Sequence, residues 1–325
     1  MNSGLLTIVI PTRDRPELLE LCLRSVFERQ TTIPNVIVSD NSTSEHPAID
    51  ALRRRYGFAY LRRSGEMNMT DHHNACLRLP STRWMMLLHD DDELYPDSLS
   101  KVESFLAGCE DVAIVVGGLE YIDPQGKVNW EWIPEREGKF KGEDGLRRLG
   151  LTWHARPPNT IFSVAKSRHS GGYDDIGGLA ADYTFSCRLA YSYGVAFLPE
   201  RVGRFREGHE RITNFSTPVN VEKHLQYVAR MAQLLRPCSN RVADQLLDYV
   251  TWSFFLLVAP RWWDSHRAFV LGMCQTCWRL SPQPGVWQIR ARSEYPFLFW
   301  RPQWLAQRLF RVARRLRYLL RRLTG

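Results

Sequence analysis

Short apolar segments that alternate with helical segments are the feature that most constrains how this chain folds. Leu5 to Ile10 is a continuous apolar run, rich in β-branched residues and stopped by Pro11, as expected of a strand buried on both faces. Similar strands are predicted at 35–40, 83–88 and 112–116. Strands that alternate with helices indicate a mostly parallel sheet with right-handed crossovers. The sequence therefore predicts an α/β fold in which helices flank a mostly parallel sheet.

The first helix is predicted to begin near Pro16, because proline is favoured in the first turn of a helix. Asp14 and Glu17 have the spacing of a capping box, in which two side chains satisfy free backbone amides at the helix start. The apolar residues that then recur at helical spacing are Leu19, Cys22, Leu23, Val26 and Phe27. Further helices are predicted at 71–79, 96–107 and 181–193.

The pattern changes twice along the chain. Residues 118–215 are less regular than the first part, and after Pro218 the chain turns helical. Short strands are predicted at 159–164 and 195–198, and helices at 220–236 and 240–258. We therefore expect one α/β domain over residues 1–215 and a helical C-terminal extension over residues 216–325.

Four consecutive acidic side chains follow the apolar run Met85 to Leu88 after a single histidine. They are Asp90, Asp91, Asp92 and Glu93. Carboxylates this close repel one another and raise each other's pKa unless a cation lies among them. A hard divalent metal ion that also carries phosphate oxygens would resolve the conflict. A solvated acidic turn is the alternative, but open α/β sheets bind their ligands at the carboxyl ends of strands, where this run lies.

The charge of the chain is concentrated at its carboxyl end. The net charge is +8, and residues 301–325 hold eight arginines and no acid, which leaves 35 basic and 35 acidic side chains in residues 1–300. Seven scattered cysteines, an odd number, favour a reducing compartment. We recognise no secretory signal and no apolar stretch of about 18 residues, so we expect a cytoplasmic protein without a membrane span.

Residues 301–325 have the pattern of a basic amphipathic helix. Its apolar stripe is formed by Leu305, Leu309, Val312, Leu316, Leu319 and Leu323, and seven arginines cover the other faces. Such a helix can dock on the protein or lie in the plane of an anionic membrane surface. The absence of acids and the flanking Trp300 and Trp304 favour the membrane. Nucleic acid is not expected as a partner, because no basic surface with interleaved aromatic residues occurs elsewhere.

Four stretches of the first 215 residues occur in the order and spacing of family 2 glycosyltransferases of the GT-A fold, which this part of the chain resembles. They are IVIPTRDR at 8–15, VSDNS at 38–42, HDDDEL at 89–94 and ADY at 181–183. The resemblance implies a GT-A domain in which residues 1–117 form the nucleotide-sugar half and residues 118–215 the acceptor half.

The resemblance also implies which residues bind the donor. Pro11, Thr12 and Arg13 would line the nucleotide pocket, and Asp40 with Asn41 would contact the base. An aspartate accepts base N–H groups and an asparagine offers an amide, which suits that task. The segment 64–74 departs from the common pattern of the family. The residues expected near the diphosphate are Arg63, Asn74, Asp90 and Asp91.

The acidic run resembles the metal motif of the family, and its register is open. In an extended segment Asp90 and Asp92 project to the same side, whereas Asp91 points away. Relatives often carry an acid at the position of His89, so that the pair is either Asp90 and Asp92 or Asp91 and Asp92. In either register Mg²⁺ or Mn²⁺ would bridge to the β-phosphate of the donor, and the resemblance places His209 near the metal.

The resemblance assigns the catalytic base to Asp182, at the start of a predicted helix. Relatives usually show Glu-Asp there, and Ala181 replaces the first acid. The expected function is therefore a metal-dependent, inverting glycosyltransferase that moves a sugar from a nucleotide-sugar to a glycan or lipid-linked acceptor, as in O-antigen, capsule or lipopolysaccharide assembly. The enzyme is expected at the inner face of the cell membrane. A catalytically degenerate GT-A protein and a basic peripheral scaffold are the alternatives.

Overall fold

The computed structural model describes residues 4–65, 67–150, 154–174 and 181–207, and in the C-terminal region residues 229, 232, 233 and 235–253. The chain divides into two compact units, Met1–Asn214 and Phe215–Gly325. The predicted helix at 301–325, most of the predicted helix at 220–236 and His209 lie outside the described residues. No helix within the described ranges is long and apolar enough to cross a membrane.

The described elements of the first unit alternate between strands and helices through its first half. They are β1 (Leu6–Thr12), α1 (Pro16–Phe27), β2 (Asn35–Asp40), α2 (Pro47–Tyr56), β3 (Ala59–Arg62), α3 (Met69–Leu77), β4 (Trp84–Leu87), β5 (Glu93–Leu94), α4 (Ser98–Leu106), β6 (Ile114–Ile122), β7 (Val128–Trp132), β8 (Gly138–Phe140), α5 (Gly142–Gly150), a 3₁₀ turn (Pro157–Asn159), β9 (Thr160–Ser163), α6 (Val164–His169), α7 (Ala181–Tyr193) and β10 (Val195–Arg206). In the second unit the described residues form α8 (Asn240–Ser253).

The strands of the described residues form one sheet in the order β3-β2-β1-β4-β9-β6-β10-β5, with β7 paired to β6 and β8 to β10. β3, β2, β1 and β4 are parallel, whereas β9 runs antiparallel to both β4 and β6. β10 is parallel to β6, and β5, β7 and β8 add antiparallel pairs. The predicted α/β class, a sheet flanked by helices, is confirmed, and its parallel part is the N-terminal half together with the β6–β10 pair.

The core lies where α1 and α4 cover the sheet. All seven residues of β1 are buried, because neighbouring strands flank it on both sides and other elements cover both faces. Leu19, Cys22, Leu23 and Val26 of α1 are fully buried, at the helical spacing expected from the sequence. The sequence therefore places the first strand and helix correctly, because their burial follows from local apolar patterns.

The predicted capping box at Asp14 is wrong. α1 begins after Arg15 without a side-chain cap, and Asp14 adopts a left-handed conformation with φ of 54°. Its Oδ1 accepts hydrogen bonds from the backbone N of Thr43 at 2.9 Å and from Thr43 Oγ1 at 3.0 Å. The carboxylate therefore stabilises the loop after β2, because it accepts a hydrogen bond from a backbone amide of that loop. It does not cap the start of α1.

Three strand ends bring the candidate site residues to one edge of the sheet. β1 ends at Thr12, β2 ends at Asp40, and β4 ends at Leu87 just before the acidic run. Because these strands are parallel neighbours, their carboxyl ends lie side by side. This is the edge at which open α/β sheets bind ligands.

Gly203 is a position where the fold requires a glycine. A Cβ at this residue would overlap the backbone carbonyl of Pro158, which the 3₁₀ turn presses against β10. We expect Gly203→Ala to lower the free energy of unfolding by about 1–3 kcal/mol, because backbone atoms must move to make room. Urea denaturation followed by circular dichroism measures the effect.

Gly108→Ala is the matched control, since its Cβ would lie at an ordinary 3.7 Å from the carbonyl oxygen of Phe105. Equal unfolding free energies for the two variants would contradict the close contact between the 3₁₀ turn and β10.

Candidate active site

The acidic run forms a tight turn between β4 and β5. The backbone N of Asp92 donates to the carbonyl of His89 at 3.1 Å, so the chain reverses instead of staying extended. Ligand atoms of His89, Asp91 and Asp92 all lie within 4.8 Å of one another. The expectation that Asp91 points away from Asp92 assumed an extended segment and is wrong for this reason. Of the two registers that the sequence left open, this geometry favours Asp91 with Asp92.

Asp90 is engaged by the end of β1 and the start of α1. Its carboxylate accepts a hydrogen bond from Thr12 Oγ1 at 2.7 Å and forms an ion pair with Arg15, whose Nη2 lies at 2.6 Å. Burial raises the pKa of Asp90 to about 6, although Arg15 and Thr12 act in the opposite direction. Arg15 Nη1 also lies 3.6 Å from Asp91 Oδ2, so one guanidinium bridges two acids of the turn.

The fourth acid, Glu93, belongs to a buried cluster with three arginines. Arg29 Nη1 and Arg204 Nη1 lie 3.0 Å and 2.8 Å from Glu93 Oε2, and Arg206 Nη2 pairs with Oε1. Arg206 also donates from its backbone N to Asp92 Oδ1 at 3.0 Å and from Nε to the carbonyl of Asp91 at 3.2 Å. β10 therefore holds the acidic turn through both the backbone and the side chain of Arg206.

Asp40, at the end of β2, is fully buried. Its Oδ1 accepts from the backbone N of Ser42 at 2.8 Å and its Oδ2 from the hydroxyl of Tyr60 at 2.6 Å. Burial, followed by the contact with Asp40, raises the pKa of Tyr60 to about 12, which keeps its hydroxyl a hydrogen-bond donor at neutral pH. Asn41 Nδ2 donates to the carbonyl of Met67 at 2.9 Å. These contacts fix the loop that follows β2.

Arg63 and His72 lie beneath this loop. Arg63 Nε donates to Ser39 Oγ at 2.9 Å, and its buried Nη2 finds no hydrogen-bond partner among the described residues. His72 Nε2 lies 2.9 Å from the same hydroxyl, and burial, followed by the charge of Arg63, lowers the pKa of His72 to about 4. His73 instead faces the acidic turn, with its ring 5.0 Å from that of His89. The two adjacent histidines therefore point in different directions, as helical geometry requires.

Asn74 joins the two halves of the domain. Its Nδ2 donates to the carbonyl of Tyr173 at 2.9 Å, and its Oδ1 accepts from the backbone N of Tyr173 at 2.8 Å. Gly172 permits this approach, because a Cβ there would overlap Asn74 Oδ1. Asn74 thus fixes the backbone at Tyr173, and its contact with a diphosphate stays a prediction.

Asp182 lies in the first turn of α7 and is half-buried. Its Oδ1 accepts a hydrogen bond from the backbone N of Tyr183 at 2.8 Å. Burial acts to lower the pKa of Arg156. Tyr121, Asp182 and Asp92 act in the opposite direction, and the pKa of the guanidinium is raised overall. The charges of Asp182 and of Asp92, in the acidic turn, therefore both act on Arg156.

The described sequence and fold match known proteins of one family. A sequence model described as "Glycosyl transferase family 2" matches residues 7–169. The chain belongs to this family. The family resemblance expected from the motifs is confirmed.

Individual relatives are distant. An uncharacterized protein of Mycobacterium tuberculosis (strain CDC 1551 / Oshkosh), MT1568, is 25% identical over 210 residues, which are 61% of this chain and 66% of that protein. The chain thus matches just under two thirds of the length of this relative.

Solved structures with the same fold include two complexes of Staphylococcus aureus TarS 1-349. The complex with UDP-GlcNAc has a TM-score of 0.61 at 13% identity and covers 86% of this chain and 82% of TarS 1-349. The complex with UDP has a TM-score of 0.57 at 15% identity and covers 91% and 89%. At this identity the likeness establishes the fold alone, and it confirms the predicted GT-A type.

Most of the residues predicted to line the nucleotide pocket and contact the base lie at the ends of β1 and β2: Pro11, Thr12, Asp40 and Asn41. Arg13 is exposed, and its Nε lies 3.7 Å from Asp14 Oδ2. Residues absent from the prediction are Arg15, His89, Arg156 and Arg206. Arg15 carried a signal, since it stands in the first motif of the family resemblance. Arg206 carried a signal as well, since with His209 it forms the Arg-x-x-His element of the family resemblance.

We expect Arg206→Met to destabilise the protein by about 3 kcal/mol, because removal of one partner of a buried pair leaves Glu93 in an under-compensated site. Chemical denaturation measures the loss. The matched control is Arg201→Met on the same strand, whose partner Glu131 is exposed and whose ion pair contributes at most about 1 kcal/mol. A smaller loss for Arg206→Met than for Arg201→Met would contradict the role of the buried cluster.

Proposed function

We propose that this protein is a glycosyltransferase that moves a sugar from a UDP-sugar to a hydroxyl acceptor with inversion at the anomeric carbon. The observation that carries the proposal is the group of His89, Asp91 and Asp92 at the edge of the sheet where β1, β2 and β4 end. Membership of glycosyl transferase family 2 supports the reaction class.

His89, Asp91 and Asp92 fit a divalent cation. They offer one imidazole nitrogen and two carboxylates within 4.8 Å of one another, and both acids are buried. Mg²⁺ strongly prefers oxygen ligands, whereas Mn²⁺ also accepts imidazole, so this set favours Mn²⁺. A bound cation supplies positive charge that stabilises the diphosphate as it leaves. His209, which lies outside the described residues, stays a predicted additional ligand.

The donor lies between the ends of β1 and β2. Asp40 retains acceptor capacity on its carboxylate for the N–H of a uracil, since a carboxylate has about four lone-pair sites and Ser42 and Tyr60 use one each. Arg15 and Arg63 bring positive charge towards the diphosphate. Uridine is proposed as the nucleoside because the solved relatives with this fold are complexes with UDP and UDP-GlcNAc.

The acceptor hydroxyl approaches from the half of the domain that contains Asp182. This carboxylate accepts the proton of the hydroxyl as its oxygen attacks the anomeric carbon from the side opposite the diphosphate. One displacement of this kind inverts the configuration. Arg156, on which the charges of both Asp182 and Asp92 act, supplies positive charge for this step.

The acceptor is a glycan or a lipid-linked glycan at the inner face of a membrane. This part of the proposal is supported by the sequence of residues 301–325, in which arginines surround a stripe of leucines. Apolar burial and attraction to anionic headgroups add in such a helix. The proposed location is peripheral, in the cytoplasm.

The proposal predicts selective stabilisation by UDP together with Mn²⁺. We expect UDP to raise the melting temperature of the full chain more than GDP, CMP or dTDP. The expected size is that of specific binding, since a ligand at 100 times its Kd adds about 2.7 kcal/mol of stability. Asp92→Asn should lose the part of the shift that depends on Mn²⁺. Differential scanning fluorimetry with and without chelator measures both effects.

Asp111→Asn is the control for this experiment, since Asp111 is an exposed acid paired with Lys139 at 3.0 Å, away from the strand ends. A UDP shift that is unchanged by chelator would refute the metal role. The absence of a shift with every nucleotide would refute the nucleotide-sugar donor and favour a degenerate domain.

Substitution of the proposed base separates chemistry from binding. We expect Asp182→Asn to lower the rate of UDP release from the bound UDP-sugar, measured with water as the acceptor, by about 10²–10⁴-fold. The melting shift with UDP and Mn²⁺ should stay intact, because the base does not bind the donor. Asp144→Asn, an exposed acid of α5 paired with Arg147, is the control. Wild-type turnover by Asp182→Asn would remove Asp182 from the mechanism.

A further inference from the structure

Five aromatic side chains pack against one another at the end of β6. We call this group the aromatic platform, and it consists of Tyr121, Trp130, Trp132, His154 and Phe205. The rings of Tyr121 and Trp130 stack at 3.6 Å between centroids, and those of Trp132 and His154 at 4.9 Å. Phe205 meets Tyr121 edge to face at 5.5 Å. Neither the proposed donor contacts nor the proposed base uses any of these rings.

The strand register puts the platform on one face of the sheet. Tyr121 pairs with Trp130 on β7 and with Phe205 on β10, so the three side chains project to the same side. Trp132 lies two residues along β7 from Trp130 and shares its face. Tyr121 is buried, whereas both tryptophans are half-buried.

The platform is held in place from below. Asn159 is fully buried, and its Nδ2 donates to the carbonyls of Gly117 and His154 at 2.6 Å and 2.9 Å. Its Oδ1 accepts from the backbone N of Arg156 at 2.8 Å. Tyr121 hydroxyl and His154 Nδ1 lie 3.0 Å apart. The rings are therefore ordered before any ligand arrives, which lowers the entropy cost of binding.

The platform borders the proposed reaction site. Phe205 directly precedes Arg206, whose backbone N donates to Asp92 Oδ1 at 3.0 Å. Arg156 lies over the ring of Phe205 at 5.4 Å, and the charges of Asp92 and Asp182 both act on it. One end of the platform thus adjoins the guanidinium that links the metal-ligand candidates to the proposed base.

The platform does not serve the base of the donor. The sheet order places β6 four strands from β2, which ends at Asp40, and at about 4.8 Å per strand this is a separation of about 19 Å. The acidic turn at the end of β4 lies between them. A ligand on the platform therefore reaches the reaction centre from the side opposite the nucleoside.

We propose that the aromatic platform binds a sugar ring of the acceptor. This inference rests on the proposed function for the acceptor role, while sugar binding itself stands on the geometry of the rings. The C–H face of a pyranose packs on the flat face of an indole, and the hydroxyls at its edge need polar groups such as Arg156 nearby. The acceptor is accordingly a saccharide, and a lipid attached to it lies beyond the platform.

Saturation-transfer NMR on the full chain with UDP and Mg²⁺ tests the inference. The probes are the methyl glycosides of glucose, galactose, mannose, rhamnose and N-acetylglucosamine, with farnesyl phosphate as a lipid phosphate without sugar. We expect transfer to the ring C–H protons of at least one glycoside. Trp132→Ala and Trp130→Ala should weaken its binding about tenfold, whereas Trp132→Phe, which keeps a ring, should retain most of it.

Asn129→Ala is the control, since Asn129 is exposed and lies next to Trp130 on β7. The inference is overturned if no glycoside binds the wild-type chain, if both tryptophan variants bind it unchanged, or if farnesyl phosphate alone depends on the tryptophans. The melting shift with UDP and Mn²⁺ is measured on the same variants. If UDP gives no melting shift with the wild-type chain while a glycoside still binds, the proposed function is refuted and a saccharide-binding site remains.

Discussion

The buried ion pair between Arg206 and Glu93 is the interaction on which the geometry of the site depends. Their side chains are 3% and 7% exposed, and removal of two charges from water costs several kcal/mol per ion. Arg29 and Arg204 offset this cost at Glu93, and backbone carbonyls offset it at Arg206. Because Arg206 also holds Asp92, 114 residues away in sequence, the acidic turn is completed only when β10 joins the sheet.

The same arrangement divides four consecutive acids into two pairs with different tasks. Asp90 is paired with Arg15, which directly precedes α1, and Glu93 is paired with Arg29, Arg204 and Arg206. Asp91 and Asp92 lie close to His89, and Arg15 also lies 3.6 Å from Asp91. A run of acids that looks uniform in sequence therefore contains a frame of two acids paired with arginines and two candidate metal ligands. The frame lowers the repulsion that would otherwise oppose the close approach of Asp91 and Asp92.

The sequence predicts what local patterns determine. β1, β2, α1 and α7 follow from apolar runs and helical spacing, and so does the end of β2 at Asp40. β1 continues through Pro11 to Thr12, two residues beyond its predicted end. The register of the acidic turn does not follow from local patterns, because one hydrogen bond from Asp92 to His89 reverses the alternation expected of an extended segment. Asn74 and Arg206 find their partners 99 and 113 residues away, so no local pattern could indicate these contacts. β7 and β8 were missed because their exposed residues lack an apolar run.

The sheet arranges the parts of the site in a line. Asp40 ends β2, the acidic turn follows β4 two strands away, and the aromatic platform lies on β6 and β7 two strands further. At about 4.8 Å per strand, each step is about 10 Å. An in-line displacement needs the nucleophile and the leaving diphosphate on opposite sides of the anomeric carbon. The proposed order of nucleoside, cation and acceptor follows the order of the strands and is compatible with that need.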